Sequence, residues 1–530
     1  MITASPHGAR RADTPVLSRR ASTPVVTAVV CIALGAVAAA MASLNVALPD
    51  LARSTHATQT QLEWIIDAYS LVFAALLLPA GALGDRFGRR RALLAGMVIF
   101  GAGSAVAMTA SSANELIFLR GLIGLGAALV MPATLSTITG TFPPAARTRA
   151  VSVWTAVAGG SALLGLLCTG ALLEAFSWRS AFAINLALAV MAIAGTLRFV
   201  PESSDPDAPR LDTGGAFLAL GGLTALVFSI IEAPETGWLA ARTIGGICGG
   251  LAVLAVFTGW ELRAEHPMLD PRHFRDRHLS AGSLSIFIQF FALFGVAFIM
   301  LEYLQGVRGD SPLAAALSVL PLAAAMMPTA GITPKLTARF GARNVCVAGL
   351  VLVAAGLAVL SRLGTASPYW LLLAGLVPLG VGMGAAMTPA TAAITEGLPA
   401  AQQGVGSALN DLSREVGGAL GIAVMGSIVT AVYGGNLHLT GIPAGLADQA
   451  KGSFALAIRA GGPIRASASS AFVDGLHTGL LCAAGSALLA AITVAVLLSG
   501  GLRRSPAGGE EPALASTGGR SAAARHGNSP

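Results

Sequence analysis

Long apolar stretches recur fourteen times along this chain, and each is long enough to cross a lipid bilayer as a helix of about 17 or more residues. Charged residues make up only 11% of the 530 residues, under half of the roughly 25% found in soluble domains. The sequence therefore predicts an all-α integral membrane protein. The predicted spans are residues 25–48, 64–84, 92–113, 115–138, 150–173, 180–199, 213–231, 243–260, 279–301, 312–333, 344–361, 369–391, 402–432 and 476–499.

The distribution of Lys and Arg predicts the orientation of these spans. With both termini in the cytoplasm, 23 of the 33 basic residues fall in cytoplasmic segments and 8 in outer segments, while Arg120 and Arg414 lie within spans. Cytoplasmic loops of membrane proteins carry the excess of Lys and Arg. We therefore predict a multi-pass protein of a bacterial plasma membrane with cytoplasmic termini. The basic pI of 9.6 reflects this topology and gives no indication of nucleic-acid binding.

An internal repeat predicts two related halves. Residues Gly124–Thr139 (GLGAALVMPATLSTIT) resemble Gly382–Thr395 (GMGAAMTPATAAIT), and Arg86-Phe87-Gly88 recurs at residues 339–341. Repeated halves are typical of secondary transporters, which bind substrate near the bilayer midplane where the halves meet. The predicted parts are a disordered tail (1–24), an N-terminal six-helix bundle (25–199), two inserted helices with loops (200–278), a C-terminal six-helix bundle (279–499) with a large outer loop (433–475), and a second disordered tail (500–530).

Three charged residues interrupt the thirteenth apolar stretch, namely Asp411, Arg414 and Glu415. Each costs roughly 2.5 to 3.5 kcal/mol at a bilayer centre, so such residues usually mark an ion or substrate pathway. The two acids are four residues apart on one helical face, and Arg414 lies three residues from Asp411. Because two close carboxylates do not readily ionise together in a low dielectric, one is expected to keep a proton, as a proton-coupled carrier requires. The alternative is an ion pair that only locks helices together.

The loop between the second and third spans reads GALGDRFGRRR from Gly81 to Arg91. Small residues let a helix end approach its neighbour closely, and acidic and basic groups such as Asp85, Arg86 and Arg89 can bridge the two bundles and separate as they rock. With Gly81 and Gly88, these residues form a predicted gating loop, and the loop resembles the signature loop of the major facilitator superfamily.

Further motifs resemble the fourteen-span drug:proton antiporters of that superfamily. The motifs are NVALP at 45–49, WIIDAY at 64–69, YLQ at 303–305 and REVGGALG at 414–421. Residues 63–91 and 176–185 are most similar to the quaternary-ammonium exporters of the QacA type. The resemblance covers roughly residues 25–500 and implies the major facilitator fold, with two six-helix bundles and two inserted helices.

The resemblance also assigns expected roles to single residues. Asp67 matches the acid of helix 2 in that subgroup, Asp411 and Glu415 match positions of its acidic helix 13 cluster, and Arg120 matches a buried Arg near the proton path. Asn45, Trp64 and Tyr69 are candidate substrate-pathway residues. As alternatives, Asp67 is an interfacial acid stabilised by a helix N-terminus, and Arg120 is a structural partner of an acid.

Two departures from the family pattern affect these expectations. The Asp often found five residues before Asn45 is Ala40 here, and the helix 5 motif has Leu166 where the family has Pro. Without that Pro, helix 5 is expected to kink less. Proton coupling is then expected to rest on helices 2 and 13.

The predicted function is proton-coupled export of hydrophobic, cationic compounds by a monomer without cofactor or metal. A second interpretation is export of an endogenous secondary metabolite or peptide, because 31 Arg against 2 Lys indicates a GC-rich genome. A third is a membrane enzyme or ATP-driven pump. Neither Lys335 nor Lys451 has the glycine spacing of a phosphate-binding loop. His273 and His278 with Asp270 lie on a polar loop and lack metal-site spacing.

Overall fold

A computed structural model describes residues 23–204, 212–265, 267–396, 403–439 and 442–499. Both predicted tails lie outside this part of the chain, except that Thr23 and Pro24 already belong to the first helix. The helices are α1 (Thr23–Thr55), α2 (Gln59–Phe87), α3 (Arg89–Ala107), α4 (Ala113–Thr141), α5 (Pro144–Leu173), α6 (Arg179–Phe199), α7 (Thr213–Ile231), α8 (Ala233–Thr236), α9 (Ala241–Glu261), α10 (Arg277–Glu302), α11 (Pro312–Ser318), α12 (Leu320–Phe340), α13 (Ala342–Leu360), α14 (Tyr369–Glu396), α15 (Gln403–Asn436), α16 (Ala444–Gly452), α17 (Phe454–Ala460) and α18 (Gly462–Leu497).

The described residues form helices that account for the predicted spans. Thirteen helical segments are long and apolar enough to cross a membrane, and the bent α5 makes fourteen when its two parts count as one span. The tenth span combines α11 and α12, while a π-helical turn at Tyr303–Val307 extends α10. The prediction of an all-α membrane fold with fourteen spans is confirmed.

Helix α5 is bent, whereas the missing Pro predicts a straighter helix. It bends by 40° between Ala158 and Gly160. This is more than one turn before Leu166, and the bend coincides with a Gly159-Gly160-Ser161 sequence. Glycine and serine pairs are a known cause of kinks in helices. The bend therefore has a different sequence cause from the missing Pro, and the expectation of a smaller kink at Leu166 stays a prediction.

Close glycine contacts repeat in the two halves. A Cβ atom on Gly96 of α3 would lie 2.7 Å from the carbonyl oxygen of Gly126 on α4. A Cβ atom on Gly349 of α13 would likewise lie 2.7 Å from the carbonyl oxygen of Gly382 on α14. Helices in membranes associate through small residues that let backbones approach. The sequence repeat at Gly124–Thr139 therefore corresponds to equivalent helix pairs.

We expect Gly382→Val to destabilise the C-terminal half by about 1–3 kcal/mol or more, because overpacking a tight contact forces the helices apart. A Cβ atom there would meet the Gly349 carbonyl oxygen at 2.5 Å and the Val353 nitrogen at 2.6 Å, and backbone atoms cannot move aside cheaply. Thermal unfolding of purified protein in detergent measures the effect. Gly331→Val is the control, because a Cβ atom on Gly331 meets nothing within 4 Å. Equal melting temperatures for both variants would contradict this account of the packing.

The inserted helices α7 and α9 pack against each other, and α7 also packs against the seam between the two halves. Its residues Val227 and Ile231 form a small apolar cluster with Leu71 of α2 and Ala423 of α15. The inserted pair therefore contacts both bundles at one side of their junction.

The segment predicted as an outer loop contains more helix than expected. Helices α16 and α17 lie within it, and α18 begins at Gly462 rather than near residue 476. Phe454 of α17 stacks on Phe472 of α18 with ring centroids 4.1 Å apart, and it also contacts Tyr433 edge to face. Apolar runs alone do not reveal this start, because charged and small residues such as Arg465 interrupt the first turns of α18.

The two halves contact each other at the end of the bundle that the arginine distribution predicts to be outer. Gln305 Nε2 donates to the Val46 carbonyl oxygen at 2.9 Å, and the Leu313 amide donates to Glu174 Oε1 at 3.1 Å. Within the described part of the chain, the hydrogen bonds between α1–α6 and α10–α18 are found at this outer end. The two halves are therefore in contact at this predicted outer end.

Candidate functional site

Helix α2 carries a stripe of polar residues on the face that meets the C-terminal half. Thr58 begins the helix with a reciprocal capping box, in which its side chain accepts from the Gln61 amide and the Gln61 side chain accepts from the Thr58 amide. This cap fixes the register of the first turns. Gln59, Glu63 and Asp67 then follow at intervals of four residues and so lie above one another on one face.

Asp67 lies on this stripe and is completely buried. It is the ninth residue of α2, more than two turns inside the helix, whereas the favourable helix dipole acts within the first turn. The alternative of an interfacial acid at a helix N-terminus is therefore wrong. Neither carboxyl oxygen has a hydrogen-bond partner among the described residues, and no cation there lies within ion-pair distance. A carboxyl group in such a position is costly in a membrane protein.

Arg120 of α4 is buried in the N-terminal half and binds carbonyl oxygens. Its Nε atom donates to Ile65 of α2 at 2.8 Å, and one terminal nitrogen donates to Ala40 of α1 at 3.4 Å. The guanidinium lies 4.4 Å from the ring centroid of Tyr69. Among the described residues no acid lies within 4.0 Å of it, so the alternative of a structural pairing with an acid is wrong. Ala40 occupies the position where the family often has Asp, and here its backbone carbonyl oxygen accepts a hydrogen bond from the Arg120 guanidinium.

The charged residues of α15 separate into a pair and a single acid. Arg414 lies 3.6 Å from Asp411 on the same helix, and both side chains are about a quarter exposed, at 26% and 22%. The guanidinium also lies 4.6 Å from the ring centroid of Phe290 on α10. The spacing of three residues between Asp411 and Arg414 therefore corresponds to a contact within α15. Because the pair lies within one helix, the alternative of an ion pair that locks helices together is not supported.

Glu415 is a buried acid of α15. Its Oε2 atom has no hydrogen-bond partner among the described residues. Helix α15, which carries Glu415, packs against α2 of the N-terminal half. Asp67 and Glu415 are therefore single buried acids on opposite halves.

Two further buried acids at the outer end are absent from the sequence-based candidates. Glu63 of α2 accepts a hydrogen bond from the Thr430 hydroxyl of α15 at 2.9 Å, and Glu302 of α10 accepts two from Gln59 Nε2 at 3.1 and 2.9 Å. Glu63 is recognisable from its spacing of four residues before Asp67. Glu302 directly follows the predicted span 279–301, so the span prediction assigns it to a loop.

The predicted gating loop makes its contacts within the N-terminal half. Arg89 Nε lies 2.8 Å from Asp85 Oδ1, and its guanidinium packs against Gly140 at the end of α4. Gly88 has a positive φ of 116°, which favours glycine, and the Glu202 carboxylate fills the space beside it. Glu202 also lies 3.6 Å from Arg91 Nε.

Of the two remaining loop residues, Gly81 packs against α4, whereas Arg86 contacts its chain neighbour Phe87. A Cβ atom on Gly81 would lie 3.4 Å from Pro132 of α4, and Arg86 lies over the ring of Phe87 at 5.7 Å. Between described residues, the loop has no hydrogen bond or ion pair to the C-terminal half. The bridge expected between the bundles is not formed in this conformation.

The three candidate substrate-pathway residues do not form one surface. Trp64 faces α7, where its ring lies 5.7 Å from Phe228. Tyr69 lies about 140° around α2 from Trp64, at 100° per residue, and its hydroxyl donates to Val37 of α1 at 3.1 Å. Asn45 is buried on α1, and its Oδ1 atom has no partner within the described residues. The structure therefore brings Asn45 and Tyr69 into the N-terminal half and Trp64 to the inserted helices.

A cavity of 810 Å³ lies at the outer end between the halves. We call it the outer vestibule. Its lining includes Gln59 and Glu302 at the junction and Phe454 of α17. In the part of the chain that is described, no three His, Cys, Asp or Glu residues are grouped as metal ligands.

The comparisons with known proteins agree with this architecture. The family model described as Major Facilitator Superfamily matches residues 30–422. The chain belongs to this superfamily.

Curated relatives include several resistance proteins. Multidrug resistance protein Stp of Mycobacterium tuberculosis is 35% identical over 73% of this chain and 72% of its own length. Multidrug efflux pump LfrA of Mycolicibacterium smegmatis is 34% identical over 86% of this chain and 92% of its own length. Tetracenomycin C resistance and export protein of Streptomyces glaucescens is 33% identical over 76% of each chain.

Solved structures show the same fold at low sequence identity. A bacterial homologue of the human lysosomal transporter Spinster, in an inward-facing and unoccupied conformation, has a TM-score of 0.61 and 17% identity over 90% of this chain and 96% of its own. The peptide-transporter-family protein PepTSo also has a TM-score of 0.61, with 17% identity over 90% and 98% of the two chains.

Proposed function

We propose that the protein exports hydrophobic, cationic drugs or toxic compounds in exchange for protons, in the manner of the QacA-type exporters. The observation that carries this proposal is Asp67, a fully buried acid without partner among the described residues, at the junction of two repeated halves. Carboxyl groups in membrane interiors are costly and typically belong to proton or substrate pathways. The names of Stp and LfrA, as multidrug proteins, support export of drugs.

The mechanism follows from the position of the acids. Asp67 and Glu415 lie on opposite halves, so each changes its surroundings when the halves rock. In the present conformation, with the halves in contact at the outer end, the acids would release protons toward the cytoplasm and accept substrate from there. After rocking, with the gating-loop bridge formed at the cytoplasmic end, the substrate would leave outward and protons would enter. Proton binding and substrate binding thus compete for the same buried acids.

The number of acids matters for the driving force. Moving one monovalent cation outward costs about 2.3 kcal/mol per 100 mV, which is what one entering proton yields. One-for-one exchange would therefore draw only on the pH gradient. With Asp67, Asp411 and Glu415 in the pathway, more than one proton can enter for each substrate, and the membrane potential then contributes.

The proposal includes the oligomeric state, the membrane location and the orientation that the sequence predicts. It functions as a monomer in the bacterial plasma membrane with cytoplasmic termini, in line with the excess of Lys and Arg in the predicted cytoplasmic segments. Each chain contains both repeated halves and the junction between them, so one chain suffices for transport.

We expect everted vesicles that contain the protein to take up a dye such as ethidium when their interior is made acidic, without ATP. Uptake should stop when an exchanger of protons for potassium abolishes the pH gradient. Vesicles from the same strain without the protein are the control. Dye uptake that persists without a gradient, or that requires ATP, would contradict the proposal.

A second candidate function is export of an endogenous secondary metabolite. The similarity to the tetracenomycin C resistance and export protein favours it, as do the methylenomycin A resistance protein of Streptomyces coelicolor and the puromycin resistance protein of Streptomyces alboniger. A substrate screen in a strain without its own efflux pumps separates the candidates. Resistance to many unrelated cations supports the first function, and resistance to a single natural product supports the second.

A further inference from the structure

Two acids from opposite halves meet at the outer end, and the proposed function has not used them. Glu63 of the N-terminal half is 1% exposed, and Glu302 of the C-terminal half is 4% exposed. Gln59 connects them, because it lies one turn before Glu63 and donates to the Glu302 carboxyl group. A pair of acids therefore spans the junction near the predicted outer surface.

The Glu63 side chain packs into a notch on the surface of α15 that is formed by Gly426, Ser427 and Thr430. A Cβ atom on Gly426 would lie only 2.6 Å from the Glu63 carboxyl carbon, so the absence of a side chain there makes room for the acid. The Thr430 hydroxyl donates to Glu63 Oε1 at 2.9 Å. Ser427 Oγ lies 3.5 Å from Oε2, while it donates to the Ile230 carbonyl oxygen of α7 at 2.8 Å. The groups of α15 that contact the Glu63 carboxyl group are therefore the uncharged hydroxyls of Ser427 and Thr430.

No cation among the described residues lies within ion-pair distance of either acid. On the wall of the outer vestibule, Arg53 pairs instead with Asp50 at 3.1 Å. Further charged residues lie around the two acids. On the vestibule wall these are Arg459, Arg465 and Asp310, and Asp310 pairs with Arg308 at 3.4 Å. Near Glu63 they are Asp67 and Glu232, which lies beside Trp64.

The three acids are ordered from the outside inward. Glu302 lines the outer vestibule, whereas Glu63 and Asp67 do not. Gln59, which binds Glu302, lies one turn before Glu63 on α2, and Asp67 lies one turn after it, so Glu63 lies between Asp67 and the Gln59–Glu302 contact along the helix. Glu63 and Asp67 are four residues apart, about 6 Å along the helix axis. A proton that arrives from the vestibule meets Glu302 first, then Glu63 and then Asp67.

We propose that Glu302 and Glu63 form an external proton-entry site that takes protons from the outer vestibule and delivers them to Asp67. When the outer end opens, the carboxylic acid of Glu302 gives its proton through water to the carboxylate of Glu63, and Glu63 gives it to the carboxylate of Asp67. Glu302 then reprotonates the carboxylate of Glu63, and water in the outer vestibule reprotonates the carboxylate of Glu302. This inference rests on the proposed proton coupling, and it assigns the route by which protons reach the site.

The test uses Glu63→Gln and Glu302→Gln in full-length protein reconstituted in liposomes. Glutamine keeps the size of the side chain and an oxygen that accepts from Thr430 or Gln59, but it cannot carry a proton. We expect at least a tenfold loss of dye transport driven by a pH gradient, with a flattened dependence on pH on the outer side. Exchange of labelled for unlabelled dye, which needs no net proton movement, should remain. Glu63→Asp should restore part of the driven transport because it restores a carboxyl group.

Glu261→Gln is the matched control, because Glu261 is also a buried acid but lies on α9 away from the junction. Its driven transport should equal that of the unaltered protein. The inference is overturned if both glutamine variants keep the driven rate and its pH dependence, or if they lose dye exchange together with driven transport and Glu63→Asp restores neither. If the unaltered protein itself shows no transport driven by a pH gradient, the proposed function fails instead.

Discussion

Asp67→Asn is expected to reduce proton-driven dye export to the background of empty vesicles, with unchanged expression. Asparagine has nearly the same shape as aspartate, so packing in the fully buried position of α2 should be kept. The change removes the group that exchanges protons where the halves meet. Initial rates of ethidium uptake by everted vesicles under an imposed pH gradient measure the loss. We expect Asp411→Asn to have the same effect, although Asp411 pairs with Arg414 at 3.6 Å.

Asp448→Asn is the control for this pair of variants. Asp448 lies exposed on α16, outside the junction of the halves, so its replacement should leave the rate unchanged. Unchanged export by both Asp67→Asn and Asp411→Asn would refute the assignment of proton coupling to helices α2 and α15.

A disulfide between α5 and α11 is expected to stop transport completely and reversibly. A Cβ atom on Gly170 would lie 3.2 Å from Ala316 Cβ, close to the roughly 3.5–4.5 Å that disulfides require. Gly170 belongs to the N-terminal half and Ala316 to the C-terminal half, so the Gly170→Cys/Ala316→Cys bond would hold the outer end closed. Oxidation should abolish dye export, and a reductant should restore it.

The experiment needs a background without the five native cysteines, all of which are free thiols in the structure. Gly101→Cys/Ala189→Cys is the matched control, because a Cβ atom on Gly101 would lie 3.0 Å from Ala189 Cβ within the N-terminal half. That bond should leave export intact. If the bond between the halves formed without loss of export, the halves would not need to separate at the outer end, and the alternating mechanism would be wrong.

The sequence predicts the spans well where apolar runs are bounded by charge or glycine. The predicted span 213–231 coincides with α7, and 180–199 differs from α6 by one residue. The repeat of Gly124–Thr139 at Gly382–Thr395 also corresponds to equivalent helix pairs, α3 with α4 and α13 with α14. These features are local, because a hydrophobic run or a glycine spacing is written in neighbouring residues.

The parts that the sequence did not predict depend on contacts between distant residues. Glu302 falls outside the predicted span because counting apolar residues ends a span at the first charge, whereas its partner Gln59 is 243 residues away. The binding of Arg120 to carbonyl oxygens of α1 and α2 likewise depends on which helices pack together. The bend of α5 lies at Gly159 and Gly160, whereas the sequence-based expectation considers only the absent Pro.

The central claim is that buried acids carry protons inward while substrate moves outward. Purified protein in liposomes with a pH-sensitive dye inside, without ATP, tests it most directly. A substrate gradient alone should drive protons in the direction opposite to the substrate, and Asp67→Asn should abolish this proton movement. Substrate flux without any proton movement in the unaltered protein would contradict the account.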